Sequence, residues 1–427
     1  MLTALIVIIG LSLLILGHEA GHFFAAKFFK LRVDEFGFGF PPRMFAKKIG
    51  ETEYSVNWLP FGGFVKIAGE NDQFDKETGK TLTDEEKARV FYSQPALQRS
   101  IIILAGVFVN FIFAWFLFSL VLMAGTPSFL AITSVLPGSP AASAGIMNND
   151  ILKNFRSVAE LEKAFEAKNT PVELEILRET KSIKIPFVPA ATTREVRSAI
   201  VIEDIQSNSP AEEAKLKKGD VVQGFLETSD FISFVNAHRG EVITLQVLRK
   251  NEIITITPHL RSDIREGGLG ILLSEGELFS AEGLLVKKGG IEPQGFFSAI
   301  GDGLGQTLEV AKLTLSGFYE LIKGLFTRGK LIEGIVGPIG IFSFAAGAGQ
   351  IGFSNLIYLL ALISANLAMI NLIPFPALDG GRFFLILVEK IKGSPISVKT
   401  ESVINTFGFV FLIFLMIIVA VRDIINL

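Results

Sequence analysis

Residues 1–29 read MLTALIVIIGLSLLILGHEAGHFFAAKFF. No side chain from Met1 to Gly17 is charged, and His18, Glu19 and His22 then arrive inside the same apolar run. The stretch before His18 falls short of the roughly 20 residues that a bilayer crossing needs. The helix therefore crosses only if His18 to His22 lie within it. A carboxylate and two imidazoles at that depth are costly and functional by default. On a helix the two histidines of this H-E-x-x-H pattern stand one turn apart on one face and can grip one metal ion. Glu19 lies beside them and can serve as general base towards a water.

Two protein ligands leave a catalytic zinc site incomplete, because three plus a water are usual. Composition limits where the third can come from. The 427 residues include no cysteine and only four histidines, so a zinc site here uses imidazole and carboxylate. A hydrophobic share of 49% and a mean hydropathy of +0.48 call for several membrane spans. A net charge of −3 with no basic block argues against a nucleic-acid partner. The N-terminus lacks a basic leader and a small-residue cleavage site, and reads as a retained first span, residues 1–29.

Residues 30–99 form a polar connection. VDEFGFGFPPRMF and TEYSVNWLPFGGFVKI alternate and carry turn residues, which predicts β-hairpins beside the membrane. A sheet edge there can pair with an extended peptide. The remainder of the connection is charged and reads as a loop with a short helix. Residues 100–124 are an uncharged second span; Gly106 and Asn110 lie one turn apart in it and suit close helix packing and a polar contact.

A repeat follows. Ser139-Pro140-Ala141, Ala144 and Asp150 recur as Ser209-Pro210-Ala211, Ala214 and Asp220, a constant offset of 70 residues. Two copies of one small domain are implied, over residues 125–195 and 196–278. Both copies are similar to PDZ domains of the bacterial, circularly permuted kind. Asn149 and Lys215 stand where that pattern usually has glycine, and Asn tolerates the left-handed conformation. Residues 279–351 read as an amphipathic helix and an interfacial Gly-rich segment. A third span, 352–378, ends in NLIPFPALDGG. Pro374 and Pro376 break the helix, and Asp379 follows at once as the carboxylate that the zinc site lacks. Residues 379–401 form a connection, and 402–427 a fourth span and tail.

The positive-inside rule orients these spans. Lys27, Lys30, Arg32 and Arg99 flank one connection, and Arg382, Lys390, Lys392 and Lys399 the other. Both connections are then cytoplasmic, and both termini and the repeat lie outside. His18, His22 and Asp379 fall at the same depth.

HEAGH in the first span, a PDZ-like pair and NLIPFPALDG after a later span together resemble the site-2 protease family, in particular its bacterial RseP type. The resemblance covers nearly the whole chain. It implies a polytopic α-helical membrane protein with four transmembrane helices, two inserted extracytoplasmic PDZ-like domains and a membrane-associated β-region, in a bacterial inner membrane. It implies an intramembrane zinc metalloprotease: Zn2+ on His18, His22 and Asp379, with Glu19 catalytic. Asn371, Pro374 and Pro376 would contact or position substrate, and Gly37, Phe38 and Gly39 would belong to the β-region that receives it as an added strand. The partners implied are the lipid bilayer and single-span membrane proteins already cut by another protease, such as anti-sigma factors or signal-peptide remnants. The PDZ pair would exclude substrates with bulky outside domains. A non-enzymatic PDZ scaffold and a zinc protease acting on soluble peptides are the rival readings.

Overall fold

The computed structural model describes residues 2–70, 83–166, 170–178, 181–190, 196–249, 252–262, 268–328, 338–394 and 396–425. Part of the expected charged loop (71–82), the junction 329–337 and the last two residues of the tail lie outside the described residues. The chain divides into two compact units, Met1–Thr126 with Glu292–Leu427, and Pro127–Ile291.

The first unit is helical. Its helices are α1 (Leu2–Phe28), α2 (Ala96–Ala124), α3 (Phe296–Arg328), α4 (Pro338–Ile351), α5 (Phe353–Leu372), α6 (Asp379–Lys392) and α7 (Val398–Ile425). Four of them contain stretches long and apolar enough to cross a membrane: Leu5–Phe28, Ala96–Ala124, Phe353–Leu372 and Thr400–Val421. Together with the β-structure this makes a polytopic membrane protein. Small residues set the helix crossings, as they must where lipid supplies no hydrophobic drive between helices. A Cβ on Gly21 of α1 would stand 2.5 Å from the Ala105 carbonyl oxygen of α2. Ala114 and Phe118 of α2 pack on Ala361 and Ala365 of α5. The long helix α3 is half exposed and runs against α2 and α5: Ala311 packs with Val107, Ala368 and Met369, and Trp115 Nε1 donates to the Ile300 carbonyl at 2.9 Å. The Gly-rich stretch from Pro338 is helix α4, with Ala345 buried against Val7 and Leu356. Outward faces such as Phe407, Phe409, Val410 and Phe414 of α7 remain apolar and exposed, as a lipid solvent permits.

Between α1 and α2 lie β1 (Val33–Ile49) and β2 (Thr52–Ile67). Both strands bend back, β1 around Pro41-Pro42, so stretches of each meet more than once. Glu35 pairs with Lys66 on one side and Glu53 on the other; Phe38 likewise faces Gly63 and Val56. Gly37 and Phe38 are thus flanked on both sides, and the sheet edge next to them belongs to residues 63–67. No further strand pairs there among the described residues. The side chain of Glu35 ties the bends together. It accepts from Ser55 Oγ at 2.7 Å, from the Arg43 guanidinium at 2.9 Å and from Lys66 Nζ at 2.7 Å. Burial opposes its ionisation, but these donors outweigh burial and hold the carboxyl below the usual range. The base of the sheet is anchored by Val33 and Ile67, packed with Phe23, Ile102 and Ile386.

The second unit is a ten-stranded sheet of β3 (Phe129–Val135), β4 (Ile151–Leu152), β5 (Val172–Arg178), β6 (Lys181–Phe187), β7 (Val196–Ile205), β8 (Val221–Val222), β9 (Leu245–Arg249), β10 (Glu252–Ile256), β11 (Ile271–Phe279) and β12 (Leu284–Gly289). The order is β10-β9-β8-β7-β11-β12-β3-β4-β5-β6, which reads alike from its middle outward. The repeated residues have repeated jobs. Ser139 and Ser209 cap one-turn helices, each Oγ accepting a backbone N–H at 3.2 Å, with proline next. Asp150 and Asp220 are fully buried, and each is held by an arginine, Arg178 at 2.7 Å and Arg249 at 2.6 Å. Asn149 adopts φ 68° where its counterpart Gly219 adopts 87°, and Lys215 adopts 62° where Gly145 adopts 80°.

Each copy has its own core. That of the first joins Leu130, Leu152, Phe165 and Leu174 to Phe279, Leu284 and Val286. That of the second is built from Ile200, Val222, Phe231, Val247 and Leu269. Residues 284–289, which sequence reading groups with the amphipathic segment, are a strand between β11 and β3. The first copy is therefore completed by chain that follows the second.

Candidate metal centre

His18 and His22 project from the C-terminal half of α1, both 8% exposed. Asp379 reaches them from the first turn of α6. The six residues between α5 and α6 make that possible. Pro374 and Pro376 stop the preceding helix, Ala377 takes φ 73°, and Asn405 Oδ1 of α7 accepts the Ala377 N–H at 3.3 Å. Gly380 and Gly381 then let the chain turn tightly. A Cβ on Gly381 would sit 2.1 Å from the Phe375 carbonyl oxygen, and one on Gly380 2.3 Å from that of Ile373. Helix α6 is tied down by an ion pair between Arg382 and Glu70, and by Arg99 to Glu389 at 2.6 Å.

Three potential ligand atoms converge. His18 Nε2 lies 3.2 Å from His22 Nε2, and Asp379 Oδ2 lies 3.0 and 3.4 Å from the two. Ligands bonded at about 2.0–2.1 Å to a tetrahedral ion stand roughly 3.3–3.4 Å apart. The triangle thus matches one face of such a tetrahedron and leaves a fourth direction open. Asp379 Oδ2 is buried, and among the described residues the atoms that face it are the two ring nitrogens. Three ligand-type atoms facing one point suit a cation. The donor set, two imidazoles and a carboxylate, is one that zinc takes.

The surroundings come from α2 and β2. A Cβ on Gly106 would stand 2.5 Å from His22 Nε2, so the missing side chain is the space that the rings occupy. His22 Nδ1 lies 2.9 Å from the Ile102 carbonyl oxygen, and the Asn110 side chain reaches His18 Nδ1 at 3.5 Å. A Cβ on Gly63 would come within 3.8 Å of Glu19 Cγ, so the outer part of β2 passes beside that glutamate.

The structure brings His18, His22 and Asp379 together and keeps Glu19 on their helix. It sets Asn371, Pro374 and Pro376 on the chain leading into Asp379. Gly37, Phe38 and Gly39 lie in the sheet, with the 63–67 edge between Gly37 and Phe38 and the open side. Sequence reading gives Gly106 and Asn110 a packing and polar-contact role, uses Arg382 only to orient the spans, and passes over Gly63 and Glu70. Asn110 carried a signal: an amide within an uncharged span is costly unless it has work to do.

Comparison with known proteins gives the family. The chain matches the family model of peptidase family M50 over residues 6–415 and belongs to that family. It is a zinc metalloprotease. It is 29% identical to the regulator of sigma-E protease RseP of Salmonella typhimurium, covering 96% of this chain and 95% of the relative. It is 28% identical to RseP of Escherichia coli over the same shares, and 28% to the regulator of sigma E protease of Haemophilus influenzae over 98% of each.

Proposed function

We propose that this protein cuts single-span membrane proteins within or near their transmembrane segment, with His18, His22 and Asp379 as the zinc ligands and Glu19 as the general base. The observation that carries the reading is the 3.0–3.4 Å triangle of ligand atoms, drawn from residues some 360 positions apart, with Glu19 next to it. Bound there, zinc supplies Lewis-acid polarisation of the scissile carbonyl and activation of water. Glu19 accepts the proton of the attacking water and delivers it to the leaving amine.

A transmembrane helix encloses its carbonyls, so the substrate must unwind, and each freed backbone group costs several kcal/mol in hydrocarbon. An added strand along residues 63–67 offsets that cost and delivers the peptide beside Glu19. Gly37, Phe38 and Gly39 shape the sheet from behind this edge, while Asn371, Pro374 and Pro376 line the approach to Asp379. The clusters of Lys and Arg put the two connections in the cytoplasm, and the repeat unit outside an inner membrane. There the PDZ-like copies screen substrates by size, admitting those trimmed by an earlier protease.

The test is Glu19→Gln in purified protein reconstituted with a single-span substrate. Zinc content should remain stoichiometric while cleavage disappears. Continued cleavage at the wild-type rate would remove Glu19 from the mechanism.

A further inference from the structure

We propose that Asn110 is a positioning residue for the metal: its side-chain oxygen accepts the Nδ1 proton of His18 and so keeps the ring turned with Nε2 towards the ion. The inference rests on the zinc-site reading above. It starts from proton bookkeeping on the two rings. An imidazole that ligates through Nε2 carries its proton on Nδ1, and that proton needs an acceptor to fix the tautomer and the ring plane. His22 has one, since its Nδ1 lies 2.9 Å from the Ile102 carbonyl oxygen. For His18 the group at that position is the Asn110 amide, 3.5 Å from Nδ1.

As placed, the amide turns Nδ2 to His18 and leaves Oδ1 buried without a partner among the described residues. Nδ2 is a donor and can meet Nδ1 only if the His18 proton sits on Nε2, where it would block the metal. The two ends of the amide are alike in size, so a half-turn about χ2 fits the same space and brings Oδ1 to Nδ1. Either orientation leaves one end of the amide without a protein hydrogen bond, so His18 decides between them. The residue is 1% exposed, and its backbone carbonyl accepts from Ser364 Oγ at 2.8 Å, which fixes this turn of α2 against α5. Asn110 stands one turn beyond Gly106, on the face of α2 that meets the histidine rings.

The experiment measures zinc dissociation constants by chelator competition on the purified full-length protein, with the absorption spectrum of the cobalt(II) form as a second readout. Asn110→Leu keeps the bulk and removes the acceptor; zinc should bind about 10–100-fold more weakly, with an altered cobalt spectrum. Asn110→Asp keeps the acceptor and removes the donor; zinc should bind at least as tightly as in wild type. Ser364→Ala, which disturbs the same crossing without touching His18, should leave affinity unchanged. Unaltered affinity in Asn110→Leu overturns the proposal. So does an Asn110→Asp protein as weak as Asn110→Leu, because the contact is then a donated bond or simple packing. If Asn110→Leu does not fold, the Asn110→Asp affinity decides alone, and zinc binding about tenfold or more below wild type overturns the proposal. Wild-type protein without stoichiometric zinc, or His18→Ala with normal affinity, would instead sink the zinc-site reading beneath it.

Discussion

Gly106→Ala separates the metal centre from the fold. The added methyl would stand 2.5 Å from His22 Nε2 and 2.7 Å from His18 Cε1. An ordinary contact begins near 3.4 Å, so a ring must retreat by about 1 Å. The atoms in the way are the far ends of side chains rather than backbone, so α1 and α2 can still cross. Metal–ligand distances tolerate only about 0.2 Å. The required shift is several times that. The variant should therefore insert and melt like wild type while losing stoichiometric zinc, and cleavage should fall at least about 10²-fold, the scale of a 1 Å misplacement at a reacting centre. Metal analysis, thermal unfolding in detergent and cleavage of a reconstituted substrate are the assays. Gly301→Ala, a helical glycine of α3 with open space around its Cβ position, is the control and should be neutral or slightly stabilising. Full zinc occupancy with wild-type cleavage in Gly106→Ala would refute the claim that the absent side chain makes room for the ligands.

The second unit offers two further tests. Arg178→Ala strands the fully buried Asp150 carboxylate, and about 3–5 kcal/mol of local stability should go with it; hydrogen exchange that stays unchanged over β4 and β5 would contradict this. The Glu275 carboxyl is held down at about 2 by hydrogen bonds from Lys287 and from the Thr228 backbone. Its stabilising contribution is complete above the ordinary value of 4.5 and drains away as pH falls towards about 2. The group is about a third exposed, so solvent keeps the effect small. A titration of Glu275 centred near 4.5 in the folded protein would show that these bonds do nothing.

The convergence of His18, His22 and Asp379 was legible because such groups are costly in their setting. His18, Glu19 and His22 interrupt a membrane-length apolar run, and Asp379 is the first carboxylate after a long uncharged stretch that ends in two prolines. The four spans were legible for a related reason, since a charge-free run of about 20 residues suits a bilayer core and little else. Pairings between distant segments were not legible. Nothing in GFGF tells that Gly37 meets Phe64 on one side and Ser55 on the other, because alternation marks a strand without naming its neighbours. Nothing in LLVKKG assigns residues 284–289 to the strand at 129–135. Asn110 and Gly106 could be read as a packing pair, but which helix they face is a property of the folded bundle.

The interleaving of the two repeats has a consequence for synthesis. The first copy cannot close its core until the ribosome has delivered Leu284 and Val286, whereas the second has its buried core residues by Leu269. The later-made half thus matures first, and the earlier-made half waits with Leu130, Leu152 and Leu174 still lacking their last partners. A fragment ending near residue 195 would stay in that waiting state, open and prone to stick to other chains.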